Sequence, residues 1–196
     1  MTSLYRKLLL PCCFLLLLSP AQAEKSATTL NFVNDIVPIL TKADCNTGNC
    51  HAKSITGQRG FRLSLLGFEP EEDYEHIVKE GRGRRVFPPA PDQSLLLLKA
   101  ANIVPHGGGE KLAPDSEGFQ TLMRWIGEGM PYGSEDDATL TSIEVEPKKM
   151  AMKVNSTQVL KVIARYSDGS TRDVTDLSLF EANDRSMAEA GADGVV

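Results

Sequence analysis

A chain of 196 residues holds one or two domains. Its formal charge is −5, and the export leader read below takes away two cations, Arg6 and Lys7, which leaves −7 on the mature chain. So acidic a chain is not built to grip nucleic acid or an anionic membrane through bulk electrostatics.

Arg6 and Lys7 precede an apolar run from Leu8 to Leu18, broken only by Pro11. Ser19-Pro20-Ala21-Gln22-Ala23 follows with the small-x-small pattern of signal peptidase sites. Residues 1–23 therefore read as a secretory signal peptide, cut after Ala23. The run is shorter than the about 20 residues a membrane-spanning helix needs, and no later segment is longer. The mature chain is expected to lack a transmembrane segment and to work in the periplasm or another extracytoplasmic space. Cys12 and Cys13 sit in the middle of the apolar run, not at its end behind small residues, which argues against lipidation.

Glu24 to Thr29 is a polar spacer. Phe32, Ile36, Ile39 and Leu40 recur at helical spacing, and Pro38 predicts that this helix is kinked or starts late. Residues 45–61 read as a loop. Glu71 to Lys79 predicts a helix entered at Pro70. Arg82 to Pro91 is a basic, proline-rich connection, and Ser94 to Ala101 predicts a buried helix. Residues 102–114 form a loop holding His106-Gly107-Gly108-Gly109. Asp115 or Ser116 can cap the next helix, whose apolar face is Phe119, Leu122, Met123 and Ile126, with Trp125 beside it. Gly127 and Gly129 end it, followed by Met130-Pro131. Residues 30–133 thus read as a small, mostly α domain with long loops.

After the acidic linker Ser134 to Asp137 the pattern becomes strand-like. Ile143 and Val145 alternate with polar residues, and Val159 to Tyr166 is rich in strand formers. Ser167-Asp168-Gly169-Ser170 is a turn signal, with Thr171 to Val174 as the partner strand. Leu177 to Phe180 and Val195-Val196 are candidates for further short strands. Residues 141–196 read as an all-β domain of sandwich type. Its length of about 56 residues falls short of the roughly 100 of an immunoglobulin-like sandwich, so a truncated domain is expected.

Once the leader is removed two cysteines remain, Cys45 and Cys50, with His51 directly after the second. In an oxidising compartment a cysteine pair ordinarily reads as a disulfide. A bridge here would close a very small loop and gain little chain entropy. On that alternative the chain is a secreted binding or adhesion module without a cofactor. Two cysteines followed at once by histidine is instead the pattern through which c-type haem is attached, with a usual gap of two residues. The thiols add to the porphyrin vinyl groups and the imidazole is held under the iron. The gap here is four residues, which demands a bulged loop, and Gly48 is expected to supply the unusual backbone angles. A zinc site built on Cys45, Cys50 and His51 lacks a fourth ligand.

The far side of an iron needs a second ligand. The chain has three histidines, His51, His76 and His106. His106, in its glycine-rich loop, is the first candidate. Met130 is the alternative, since methionine sulfur is a common partner to histidine on haem iron. His76, on a charged helix, comes third and is expected to be exposed. Arg82, Arg84 and Arg85 could pair with haem propionates or simply be solvated. His106-Gly107-Gly108-Gly109 also matches a lipase oxyanion motif, but the chain lacks the nucleophile elbow that reading requires. No catalytic acid, base or nucleophile is assigned.

Phe32-Val33-Asn34-Asp35-Ile36-Val37-Pro38-Ile39-Leu40, Cys50-His51, Gly60-Phe61-Arg62-Leu63-Ser64, Ser94-Leu95-Leu96 and Trp125-Ile126 with Gly129 occur in that order. On these stretches residues 32–133 resemble the cytochrome c-like domain of large secreted proteins of planctomycete type. Tyr166-Ser167-Asp168-Gly169-Ser170-Thr171-Arg172-Asp173-Val174-Thr175 resembles the start of a bacterial immunoglobulin-like domain of group two. The resemblance implies haem c bound through Cys45 and Cys50 with His51 on the iron. The family often has Met-Pro before its last helix; His106 stands in about that place here, which favours two histidines. The expected role is electron transfer with a redox protein partner, with the β domain as a spacer or a contact to the cell envelope.

Overall fold

The computed structural model describes residues 29–48, 50–53 and 59–196. The signal peptide and its cleavage site lie outside the described residues, as does Asn49 of the cysteine loop. The described chain is mixed α/β, a region of four helices followed by a small three-stranded antiparallel sheet.

Asn31 opens the first helical run by accepting from the Asn34 amide at 2.9 Å. Phe32–Ile36 winds as a π-helical turn and Val37–Lys42 as helix α1. Pro38 has no N–H to return to the preceding turn, so the regular α ladder starts only around it. Helix α2 (Pro70–Tyr74) begins at Pro70 and continues as a π-helical turn over Glu75–Lys79. Helix α3 spans Leu95–Ala100 and α4 spans Glu117–Gly127. Of the two candidate caps for α4, Ser116 is used; its side chain accepts from the Phe119 amide at 3.3 Å.

α4 buries Phe119, Leu122, Trp125 and Ile126. Trp125 therefore belongs to the centre of this face, not to its side as the spacing suggested. Its indole N–H donates to the Pro131 carbonyl at 2.9 Å, which satisfies the polar end of a fully buried ring. Phe32 sits at the hub of an aromatic cluster, with ring centroids 5.3 Å from Tyr74, 5.5 Å from Trp125 and 5.8 Å from Tyr132. Such pairs add about 0.5–1.5 kcal/mol each beyond burial alone. This cluster closes the helical region, because Phe32 N–H also donates to the Tyr132 carbonyl at 3.0 Å.

The sheet runs β1 (Leu140–Glu146), β2 (Lys161–Tyr166) and β3 (Thr171–Asp173) in that order. Ile143 pairs with Ala164 and Val145 with Val162. Val162 and Ala164 are buried while the β1 residues Ile143 and Val145 are largely open. The described residues form one sheet, not two packed layers. Leu177 to Phe180 is not a strand. Asp173 accepts from the Thr175 amide at 3.1 Å and its hydroxyl at 2.6 Å, which turns the chain into a single 3-10 turn, Thr175–Leu177. Leu177 then packs against the helical core. Val195 makes only an isolated antiparallel bridge to Val159.

One side of the first helical run meets the sheet region through polar contacts. Asn31 donates to Asp137 at 2.7 Å and Asn34 to the Ala138 carbonyl at 2.8 Å. Asp35 pairs with Arg172 at 2.5 Å. Lys42 donates to the carbonyls of Ser178 and Ala192. No helix among the described residues is long and apolar enough to cross a membrane.

Candidate functional site

The cysteine loop starts where α1 ends. Asp44 takes a positive φ of 59°, a left-handed conformation that Asp tolerates. Gly48 was expected to supply this freedom, but Gly48 has no positive φ. The described part of the loop is held by backbone bonds: Cys45 N–H donates to Leu40 O at 2.9 Å, Cys50 N–H to Thr47 O at 3.1 Å and His51 N–H to Cys45 O at 3.0 Å. The last bond ties the histidine directly to the first cysteine. Asn46 is buried beneath the loop, donating to Thr41 Oγ1 at 2.8 Å.

Both thiols are free. Cys45 packs against the helical core. Burial pushes its thiol up to about 12, with the nearby Cys50 acting in the same direction. Cys50 instead lines a cavity of ≈ 550 Å³ together with His51 and His106.

Two backbone hydrogen bonds tie the His51 segment to Leu63. The His51 carbonyl accepts from Leu63 N–H at 2.7 Å and Lys53 N–H donates to Leu63 O at 2.7 Å, which together make the parallel bridge between Ala52 and Leu63. These bring Phe61 beside the imidazole. His51 Nδ1 lies 3.2 Å from the Phe61 carbonyl, and the two rings are 4.7 Å apart. Burial lowers the His51 pKa; the Phe61 bond resists this, while His106 and Arg85 add to it. Because the Phe61 carbonyl can only accept, Nδ1–H is the donor and, in the neutral ring, Nε2 carries the lone pair.

His106 repeats the arrangement from another loop. Its N–H donates to Asn102 Oδ1 at 3.0 Å and its Nδ1 lies 2.9 Å from the Gly109 carbonyl. The chain turns back on the ring because Gly109 N–H donates to His106 O at 3.0 Å. A side chain at Gly108 would place its Cβ 3.1 Å from His106 Cε1, so glycine is what lets the loop pass the ring edge. Lys111 N–H is fixed to Ala100 O at 2.7 Å, and the Lys111 ammonium reaches Asp44 at 3.5 Å. That ion pair joins the histidine loop to the cysteine loop.

The two imidazole planes lie 9° from parallel, with ring centroids 6.1 Å apart. Two imidazoles on opposite sides of one metal, each nitrogen about 2 Å from it, have centroids about 6.3 Å apart. A backbone carbonyl on Nδ1 that fixes tautomer and orientation is the usual outer-shell support of a metal-bound histidine. No three His, Cys, Asp or Glu side chains converge as metal ligands among the described residues. Arg59 and Lys99 also line the cavity, and no carboxylate does so among the described residues. This lining fits a ligand that carries acid groups.

Met130 is not brought to this cavity. Its N–H donates to Trp125 O at 2.9 Å, its carbonyl accepts from Tyr74 at 2.7 Å, and it packs against the core. His76 is not exposed as expected; its side chain is 14 % accessible and lies 3.8 Å from Glu72. Arg85 is neither solvated nor at the cavity, being 6 % exposed and stacked on Phe61 at 4.6 Å. The cavity cations are Arg59 and Lys99, which the sequence reading passed over. The acceptor carbonyls of Phe61 and Gly109 carry no sequence signal, since every residue has one.

Compared with protein-family models, curated proteins and solved structures, the chain matches none.

Proposed function

We propose that the helical region is a cytochrome c-like domain that carries one haem c, attached through Cys45 and Cys50, with His51 and His106 as its two axial ligands. The observation that carries this reading is the near-parallel imidazole pair, 6.1 Å between centroids, each with Nδ1 on a backbone carbonyl. The free thiols on the loop that ends in His51 supply the attachment chemistry. Arg59 and Lys99, which line the cavity, would pair with the propionates.

The haem supplies a one-electron couple whose potential depends on axial ligand, burial and hydrogen bonding. The chain's contribution is to hold two imidazoles in fixed orientation from two separate loops. Held by His51 and His106, a bound haem would serve electron transfer to and from a redox protein partner rather than substrate binding at the iron. Two imidazoles place the potential below that of a histidine–methionine pair.

On this reading the leader in residues 1–23 exports the chain, and the sheet belongs to an immunoglobulin-like module that spaces the haem domain from, or attaches it to, the cell envelope. The test is the intact mass of the mature chain after secretion from cells that attach c-type haem. One added haem is expected, and none in a Cys45→Ser/Cys50→Ser variant. An unmodified mass two hydrogens short would mean a Cys45–Cys50 disulfide and a binding module.

A further inference from the structure

Arg85 is 6 % exposed, deep for an arginine, and its donors are spent on three backbone carbonyls and one carboxylate. Nη1 donates to the carbonyls of His76 at 2.7 Å and Glu80 at 3.1 Å. Nη2 donates to Glu80 Oε2 at 3.1 Å and to the Gly60 carbonyl at 3.4 Å. Its guanidinium carbon lies 4.6 Å from the centre of the Phe61 ring, and that ring lies 4.7 Å from His51. One planar group thus grips the Gly60 carbonyl and covers the Phe61 side chain. Between those two holds runs the peptide that ends in the Phe61 carbonyl, the acceptor for His51 Nδ1.

We infer that Arg85 is a positioning residue for His51. It clamps Gly60–Phe61 so that the Phe61 carbonyl stays on Nδ1, and through that bond it sets the tautomer and the plane of the imidazole. The link runs from Glu80 through Arg85 and Phe61 to His51. A lysine in this place keeps the charge but lacks the planar fork and the stacking face. The inference deepens the haem reading and rests on it only for its effect on the bound centre.

The test uses the mature chain with Arg85→Lys, and Phe61→Leu as a second variant that keeps the carbonyl but removes the ring. In the haem-free chain, nitrogen NMR should show His51 held as the Nδ1–H tautomer in the unsubstituted protein. In Arg85→Lys the tautomers should mix and the Nδ1 proton should exchange about tenfold faster, the factor expected when one such hydrogen bond is loosened. In the haem-bound chain the same variant should broaden the low-spin electron paramagnetic resonance signal, as the His51 plane loses its single orientation. Phe61→Leu should give the same changes in smaller degree. A His51 tautomer, exchange rate and resonance signal that stay unchanged in a folded Arg85→Lys protein would overturn the clamp. NMR changes in a chain that never acquires haem would keep the clamp and remove the haem reading.

Discussion

His51 and His106 lie in near-parallel planes, 9° apart, with ring centroids separated by 6.1 Å. They belong to loops more than fifty residues apart in sequence, and each is oriented by a different carbonyl, that of Phe61 or Gly109. His106→Ala should leave haem attached but open one axial position. The reduced protein should then bind carbon monoxide at once, whereas the unsubstituted protein should not. Met130→Ala and His76→Ala should leave the spectrum unchanged. Carbon monoxide binding confined to the Met130 variant would reassign the distal ligand.

Cys45 and Cys50 differ in setting, one packed on the core and one facing the cavity. Each single serine variant should retain haem through one thioether, with the reduced band displaced to longer wavelength as one vinyl group survives. The double variant should release its haem on acid–solvent extraction. Full retention in the double variant would contradict covalent attachment at these residues.

Asp73 is a stability element away from the cavity. It is 2 % exposed and accepts from the Ser64 amide at 2.5 Å and hydroxyl at 2.6 Å. Asp73→Ala strands those donors and should cost about 1–3 kcal/mol in denaturant unfolding. Burial raises the Asp73 pKa, against the two Ser64 bonds. A carboxyl raised on folding contributes most below its unfolded value of about 3.9 and loses that contribution as pH rises through the folded value. Stability relative to Asp73→Asn should therefore improve as pH falls through the carboxylate range. A difference between the two proteins that does not vary with pH would contradict this.

Asp35 and Arg172 join the first helical run to β3 at 2.5 Å, with side-chain exposures of 14 % and 45 %. A half-exposed pair of this kind should show a coupling of about 1 kcal/mol or less in a double-mutant cycle. The haem spectrum should not change, since the contact is remote from the cavity. A coupling of zero would make the junction a set of independent contacts.

The elements with strong local signals were legible in the sequence: the α4 face with its Ser116 cap, the Pro70 entry, and the turn at Ser167–Ser170. The pairing of His51 with His106 was legible as a choice among three histidines and a methionine. Its geometry was not, because it depends on loop–loop contacts such as Lys111–Asp44. Met130 and Arg85 take their places through tertiary contacts. Met130 follows the last helix as a ligand would, but its backbone closes the Tyr74–Trp125 corner. Arg85 sits in a basic run that reads as solvated, and only tertiary structure folds it onto Phe61. The extra strand at Leu177 to Phe180 failed because Asp173 caps a turn through Thr175, a side-chain effect that outweighs strand propensity.

The measurement closest to the central claim is the absorption spectrum of the mature protein, secreted from cells that attach c-type haem and recorded oxidised, reduced and after acid–solvent extraction. The account predicts a sharp low-spin c-type band on reduction that stays with the polypeptide after extraction and does not shift under carbon monoxide. A colourless protein with Cys45 and Cys50 oxidised to each other would contradict it.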